Sequence, residues 1–236
     1  MGKPDLLLEL ENVHTYYGDS HILQGMSLGI QQGSVVGVLG RNGAGKTTLM
    51  RSIIGFTPPR RGKVVFKGTD ISRATPDSRA QMGMGLVPQG RRIFGSLSVQ
   101  ENLTIGARER GQNWNLGSVC SFFPRLKERL NHKGTELSGG EQQMLAVSRA
   151  LMTQPDLLLM DEPTEGLAPM IVSELAGLVK LLKEQGMTVL VSEQNLIFTL
   201  SVADRIYVMG PGRIVYEGYP AELEQNEDVK SRYLGV

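Results

Sequence analysis

The sequence predicts an α/β fold whose mixed sheet is parallel at its centre, with an antiparallel β layer and an inserted helical region. Three observations predict it. A glycine-rich stretch, Gly40-Arg41-Asn42-Gly43-Ala44-Gly45-Lys46-Thr47-Thr48, lies between a short apolar strand at Val35 to Leu39 and a segment from Lys46 to Ile54 that can start a helix. Leu157-Leu158-Leu159-Met160 is apolar at every position, as a parallel strand buried on both faces must be. After it, Ile171, Val172, Leu175, Leu178, Val179 and Leu182 form one helical stripe that Gly186 stops, and Met187 to Val191 is a further buried strand. Strand, helix and strand make a βαβ crossover.

The remaining elements follow in order. Leu6 to Leu10 and Ile22 to Ile30 read as two strands around a turn at Gly18-Asp19-Ser20, and Lys63 to Phe66, closed by Gly68-Thr69-Asp70, completes one antiparallel layer. Thr75-Pro76-Asp77 opens a helix, and Gly85-Leu86-Val87-Pro88 is a short strand ending at a proline. From about 90 to 152 there is no strand pattern, and helical spacing recurs at Val99 to Arg108, Phe122 to Leu130 and Glu141 to Leu151. After Ile206 short strands return around Gly210-Pro211-Gly212, then a polar helix near Pro220.

Length and composition suit one globular unit: 236 residues, 40% hydrophobic. With 25 basic and 24 acidic residues the net charge is +1, which argues against the broad basic surface of a dedicated nucleic-acid binder. A single cysteine, Cys120, excludes an internal disulfide and suits a reducing compartment; it reads better as a small core residue than as a reactive thiol. No apolar run reaches the ~18 to 20 residues that cross a bilayer, so a partner spans any membrane involved. His14, His21 and His132 are scattered, which argues against a metal cluster. Trp114 suggests no role.

The chemistry lies in three motifs. Gly40, Gly43 and Gly45 let the backbone aim several N–H groups at one anion, backed by the positive end of the next helix. Lys46 adds a movable charge, and the Thr47 hydroxyl suits Mg²⁺ bridging the outer phosphates of a nucleotide. Asp161-Glu162 ends the second buried strand: Asp161 would hold Mg²⁺ directly or through water, and Glu162 would polarise the attacking water. Ser138-Gly139-Gly140-Glu141 has capping-box spacing, with two glycines that leave first-turn amides bare. One γ-phosphate does not need two such cradles in one chain, which hints that the second serves a nucleotide on another subunit.

In this order the motifs resemble those of the ATP-binding subunits of ABC transporters, from about Leu8 to the C-terminus. The resemblance implies a P-loop NTPase core forming, with the β layer, residues 1–89 and 153–236 of a single domain, and a helical subdomain at about 90–152. Gly40 to Thr47 resembles Walker A, Leu157 to Asp161 resembles Walker B with Glu162 as catalytic carboxylate, and Leu137 to Glu141 resembles the ABC signature. Gln89 matches the glutamine that senses Mg²⁺ and contacts the membrane partner, and Tyr17 the aromatic residue stacked on adenine. Implied ligands are ATP and Mg²⁺. Implied partners are transmembrane permeases, a second ABC ATPase subunit or a second copy, and indirectly an external solute-binding protein, with the chain at the cytoplasmic face of the membrane.

Two departures narrow the resemblance. Gln194, in Ser192-Glu193-Gln194-Asn195, replaces the usual switch histidine; its amide can meet a γ-phosphate or water but carries no charge. The loop that usually closes on aspartate reads Glu165-Gly166-Leu167-Ala168. Together with Val87-Pro88-Gln89-Gly90-Arg91-Arg92, these features resemble an ATPase subunit of branched-chain amino acid importers. Urea and short-chain amide importers and lipopolysaccharide exporters are the alternatives, with DNA-repair or ribosomal ABC ATPases behind them. Val99, Leu103, Ile105 and Phe94 read either as subdomain core or as a partner-facing patch beside Gln89, and Arg91 and Arg92 as a solvated loop face or a contact to a partner helix.

Overall fold

The computed structural model describes residues 6–108 and 113–235. Strands β1 (Leu6–Tyr17) and β2 (Ser20–Gln31) form a hairpin, and β3 (Val35–Gly40) leads through the glycine-rich loop into helix α1 (Lys46–Ile54). Next come β4 (Arg61–Phe66), β5 (Thr69–Asp70), α2 (Pro76–Gln81) and β6 (Met84–Val87). Thr75 starts α2 by accepting the Ser78 N–H on its hydroxyl, with Pro76 in the first turn. The helices α3 (Val99–Thr104), α4 (Leu116–Phe122), α5 (Pro124–Glu128) and α6 (Gly139–Leu151) then precede β7 (Leu157–Asp161). The chain continues through α7 (Pro169–Glu184), β8 (Thr188–Glu193), α8 (Leu196–Val202), β9 (Arg205–Gly210) and β10 (Arg213–Gly218), and α9 (Pro220–Glu224) follows.

Two sheets result. One is antiparallel in the order β2-β1-β4-β5; the other has the order β10-β9-β3-β8-β7-β6 and is parallel at every pairing except β10 with β9. Every residue of β3, β7 and β8 is buried, which is why their sequences lack alternation. Alternate side chains nonetheless serve different layers. Leu158 and Met160 pack with Leu175, Val179 and Leu182 of α7 and with the helices of 99–151, whereas Leu157 and Leu159 pack with Leu49 and Ile53 of α1 and with the antiparallel sheet.

The helical stretch differs in detail from the sequence reading. The helix expected over Val99 to Arg108 ends at Thr104, and Arg108 turns back to donate to the Ala80 carbonyl at 2.6 Å. In place of one helix over Phe122 to Leu130, two helices meet at Phe123, whose φ of −123° and ψ of 73° lie outside the helical region. Pro124 causes the break, since it has no N–H to continue α4 and crowds the residue before it. Trp114, without a role in the sequence, is buried with its ring edge-on to Phe122 at 5.1 Å. Val99 and Leu103 join this core, while Ile105 and Phe94 are exposed. Cys120 is buried and unpaired. Among the described residues no helix is long and apolar enough to cross a membrane.

Candidate functional site

The loop from Gly40 to Thr48 leaves the carboxyl end of β3 at the middle of the parallel sheet, where β8 and β7 end beside it. Gly45 caps α1 with a left-handed φ of 104°, and no side chain bonds the helix start, so its first amides face outward. The turn between β9 and β10 braces the loop, with the Gly212 N–H donating to the Ala44 carbonyl at 3.0 Å. A Cβ on Gly212 would lie 2.3 Å from the Ile22 carbonyl oxygen, so only glycine passes there.

Lys46 is buried and folds back over the loop. Its ammonium donates to the carbonyls of Gly40 at 2.8 Å and Arg41 at 3.3 Å, and it lies 3.0 Å from Oε1 of Glu162. Glu162 holds φ at 47°, rare for a residue with a side chain, and its N–H donates to Ser192 O at 2.9 Å. Its other oxygen accepts from the Gln89 amide at 3.2 Å, and the same amide nitrogen donates to Glu165 at 3.0 Å.

Asp161, the last residue of β7, accepts on Oδ1 from Ser192 at 2.6 Å and from Thr47 at 3.4 Å. Burial pushes its carboxyl above the usual range, and those two hydrogen bonds oppose the shift. Thr47, Asp161 and Gln89 line one cavity of about 400 Å³ together with Arg51 and Arg92. The three positions read from the sequence as metal-associated are therefore neighbours. A hydroxyl, a carboxylate and a carboxamide are all hard oxygen donors, the set that suits Mg²⁺.

Gln194 is exposed, and its amide nitrogen meets the Asn42 side-chain oxygen of the loop. Glu193, by contrast, is buried; it accepts from the N–H groups of Thr164 at 2.9 Å, Gln194 at 3.0 Å and Asn195 at 3.2 Å. Burial raises its carboxyl above the usual range against these bonds. Tyr17 stands exposed at the end of β1, with the Arg51 guanidinium 6.0 Å from its ring centre.

Ser138 and Glu141 form the capping box that their spacing implies: the Ser138 N–H donates to Glu141 at 2.7 Å, and the Glu141 N–H to Ser138 Oγ at 3.3 Å. The two glycines between them also have a packing reason. A Cβ on Gly139 would come within 3.0 Å of the Arg91 guanidinium, and one on Gly140 within 3.0 Å of Ile171. No hydrogen bond or ion pair among the described residues joins Ser138–Glu141 to the Gly40–Thr48 loop. Arg91 is more engaged than a solvated loop face: it donates to Gln142 at 3.4 Å and to the Gly166 carbonyl at 3.5 Å.

Sequence reasoning missed three features here. Glu165 was read only as a departure, yet it shares the Gln89 amide with Glu162. Glu193 stands out in the sequence only as part of Glu193-Gln194-Asn195, and nothing there marks a role of its own. His14 and His21, scattered along the chain, face each other across β1 and β2 with ring nitrogens 3.0 Å apart, although no group of three or more metal-ligating side chains is found among the described residues.

A phosphate-cradling loop at the centre of a parallel sheet, with a Lys, a Thr and an Asp-Glu pair around it, defines a P-loop nucleotide hydrolase. A family profile described as ABC transporter matches residues 23–165. The chain belongs to the ABC transporter family, as an ATP-binding subunit and an ATPase. It is 39% identical over 232 residues to the high-affinity branched-chain amino acid transport ATP-binding protein BraG of Pseudomonas aeruginosa, covering 97% of this chain and 100% of that one. It is 35% identical to the lipopolysaccharide export ATP-binding protein LptB of Haemophilus influenzae, covering 97% of each. The probable branched-chain amino acid transport ATP-binding protein LivF of Archaeoglobus fulgidus is 32% identical, over 98% of this chain and 99% of that one. Among solved structures, a nucleotide-free ATP-binding cassette from an ABC transporter superposes with a TM-score of 0.84 at 30% identity, covering 95% of this chain and 98% of that chain. The ADP conformation of another such cassette scores 0.82 at 31% identity, over 95% and 96%.

Proposed function

We propose that this chain hydrolyses ATP to energise a membrane importer of branched-chain, hydrophobic amino acids. The Lys46–Glu162 contact carries the mechanism: the cation suited to the phosphates and the carboxylate suited to water stand against each other at one strand end. ATP lies on Gly40 to Thr47, with Tyr17 on adenine. Its phosphates compete for Lys46, which frees Glu162 to take the proton of the attacking water. Thr47, Asp161 and Gln89 are the residues to hold Mg²⁺, which when bound neutralises charge on the outer phosphates. Gln194, beside Asn42, meets the γ-phosphate through its amide.

Ser138 to Glu141, carried on the helical unit at about 90–152, completes the site of a second ATPase subunit in a head-to-tail pair. Binding closes the pair and hydrolysis reopens it; permeases at the cytoplasmic face sense the cycle near Gln89. The identity to BraG supports branched-chain amino acids. The LptB likeness favours a second reading, lipopolysaccharide export.

Co-purification separates the two. Import predicts two permeases, a second ATPase and a binding protein, with ATPase activity in proteoliposomes stimulated when the binding protein carries leucine, isoleucine or valine. Activity indifferent to those amino acids, or permeases that copurify with lipopolysaccharide, rejects the import reading.

A further inference from the structure

At the end of β8 the Glu193 carboxylate is enclosed in the protein, 2% exposed, and it takes hydrogen bonds from three backbone N–H groups and from the Thr164 side chain. Oε1 takes the Thr164 N–H; Oε2 takes those of Gln194 and Asn195. Backbone donors reach both oxygens, an arrangement that suits the ionised form. No salt bridge to it occurs among the described residues. A buried charge held by hydrogen bonds without a counter-ion is costly to keep unless each bond is made.

The donors belong to two different loops. Thr164 lies two residues after Glu162, and between them Pro163 has no N–H to offer. Gln194 and Asn195 open the other loop, where Asn195 also caps α8 by accepting the Phe198 N–H at 3.0 Å. One carboxylate therefore spans the segment bearing the water-activating Glu162 and the segment bearing Gln194, which in turn reaches Asn42. A second tie runs between the same segments, from the Glu162 N–H to the Ser192 carbonyl.

We propose that Glu193 is a positioning residue of the ATPase site: its carboxylate sets the spacing between Glu162 and Gln194, and so between the attacking water and the γ-phosphate. The inference rests on the roles given above to Glu162 and Gln194. Glutamine at 193 keeps the shape but replaces one acceptor oxygen with a donor facing an N–H, so one loop is released. Aspartate keeps the charge but is one methylene too short to reach both loops.

The test measures steady-state phosphate release and nucleotide binding for Glu193→Gln and Glu193→Asp in the full chain, alone and combined with Gln194→Ala. Expected is a fall in kcat of tenfold or more with KM for ATP within threefold of wild type, and no further loss on adding Glu193→Gln to Gln194→Ala, since the two changes disturb one arrangement. A wild-type kcat in folded Glu193→Gln and Glu193→Asp overturns the proposal. So does a lowered Tm with unchanged kcat and KM, or failure of both variants to fold, because the carboxylate is then a tie for the fold alone. Glu162→Gln, run beside them, tests the underlying reading: near-wild-type turnover there rejects the role of Glu162, whereas loss of turnover there with an indifferent Glu193→Gln rejects only the positioning role.

Discussion

The ammonium of Lys46 lies 3.0 Å from the carboxylate of Glu162, and both side chains are buried. The cation of the loop neutralises the carboxylate proposed to activate water. Glu162→Gln removes the base but leaves Lys46 its two carbonyl partners at Gly40 and Arg41. Turnover should fall by ~10²–10⁴ while ATP still binds and holds the pair closed. Phosphate release, together with gel filtration in ATP, checks this. Lys46→Ala acts differently: it leaves a buried carboxylate without its counter-charge, and should lower the unfolding free energy by ~3 kcal/mol as well as abolish nucleotide binding.

Ser138→Arg places a bulky cation at the start of α6, on the exposed face of the capping box. ATP binding to the monomer should stay within about twofold of wild type, and ATP-dependent pairing should disappear. Equilibrium binding with a fluorescent nucleotide and light scattering separate the two. Loss of monomer binding instead puts Ser138 in its own subunit's site.

Arg79 is fully buried, and its guanidinium donates to four carbonyls: Ser52 and Ile53 at 2.8 Å, Ser72 and Ala74 at 3.1 Å. Ser52 and Ile53 are in the last turn of α1, where carbonyls lack helical partners. Burial holds its pKa down at about 10, so the group stays charged at neutral pH. Arg79→Met leaves those oxygens unpaired, and urea unfolding should show a loss of ~3 kcal/mol or more.

His14 sits between His21 of β2, Asn12, Arg61 of β4 and Arg213 of β10. Burial lowers its pKa below 6.5, and the charges of His21, Arg61 and Arg213 lower it further. Between that lowered value and 6.5 the unfolded chain binds more protons than the folded one, so stability rises with pH there and is lost on acidification. The urea midpoint should drop from pH 7 to pH 5.5 in the wild type, and drop less in His14→Gln.

The loop, the buried strands and the βαβ crossover were legible because each is a local pattern. A run such as Leu157 to Met160 has few ways to satisfy its apolar faces, and glycines at Gly43 and Gly45 state the backbone shape directly. The break at Pro124 is also written locally, but the apolar spacing on both sides of it has the period of one continuous helix. Arg79, Glu193 and the His14–His21 contact had no comparable mark. Their partners lie on other elements, 26 and 27 residues away for the shared carbonyls of Arg79 and 29 for Thr164 and Glu193.

The residues that carry the proposed chemistry can be read from local order alone: a glycine-rich loop at Gly40 to Thr48, an acid pair at Asp161-Glu162, a second glycine-bearing helix start at Ser138, and an amide at Gln194. Each is a single turn or strand end, so its residues lie next to one another in the chain. Which group neutralises which depends on elements far apart in the chain. Lys46 against Glu162, Gln89 between Glu162 and Glu165, and Glu193 across two loops all follow from the carboxyl ends of β3, β8 and β7 lying side by side, which depends on strand order and register.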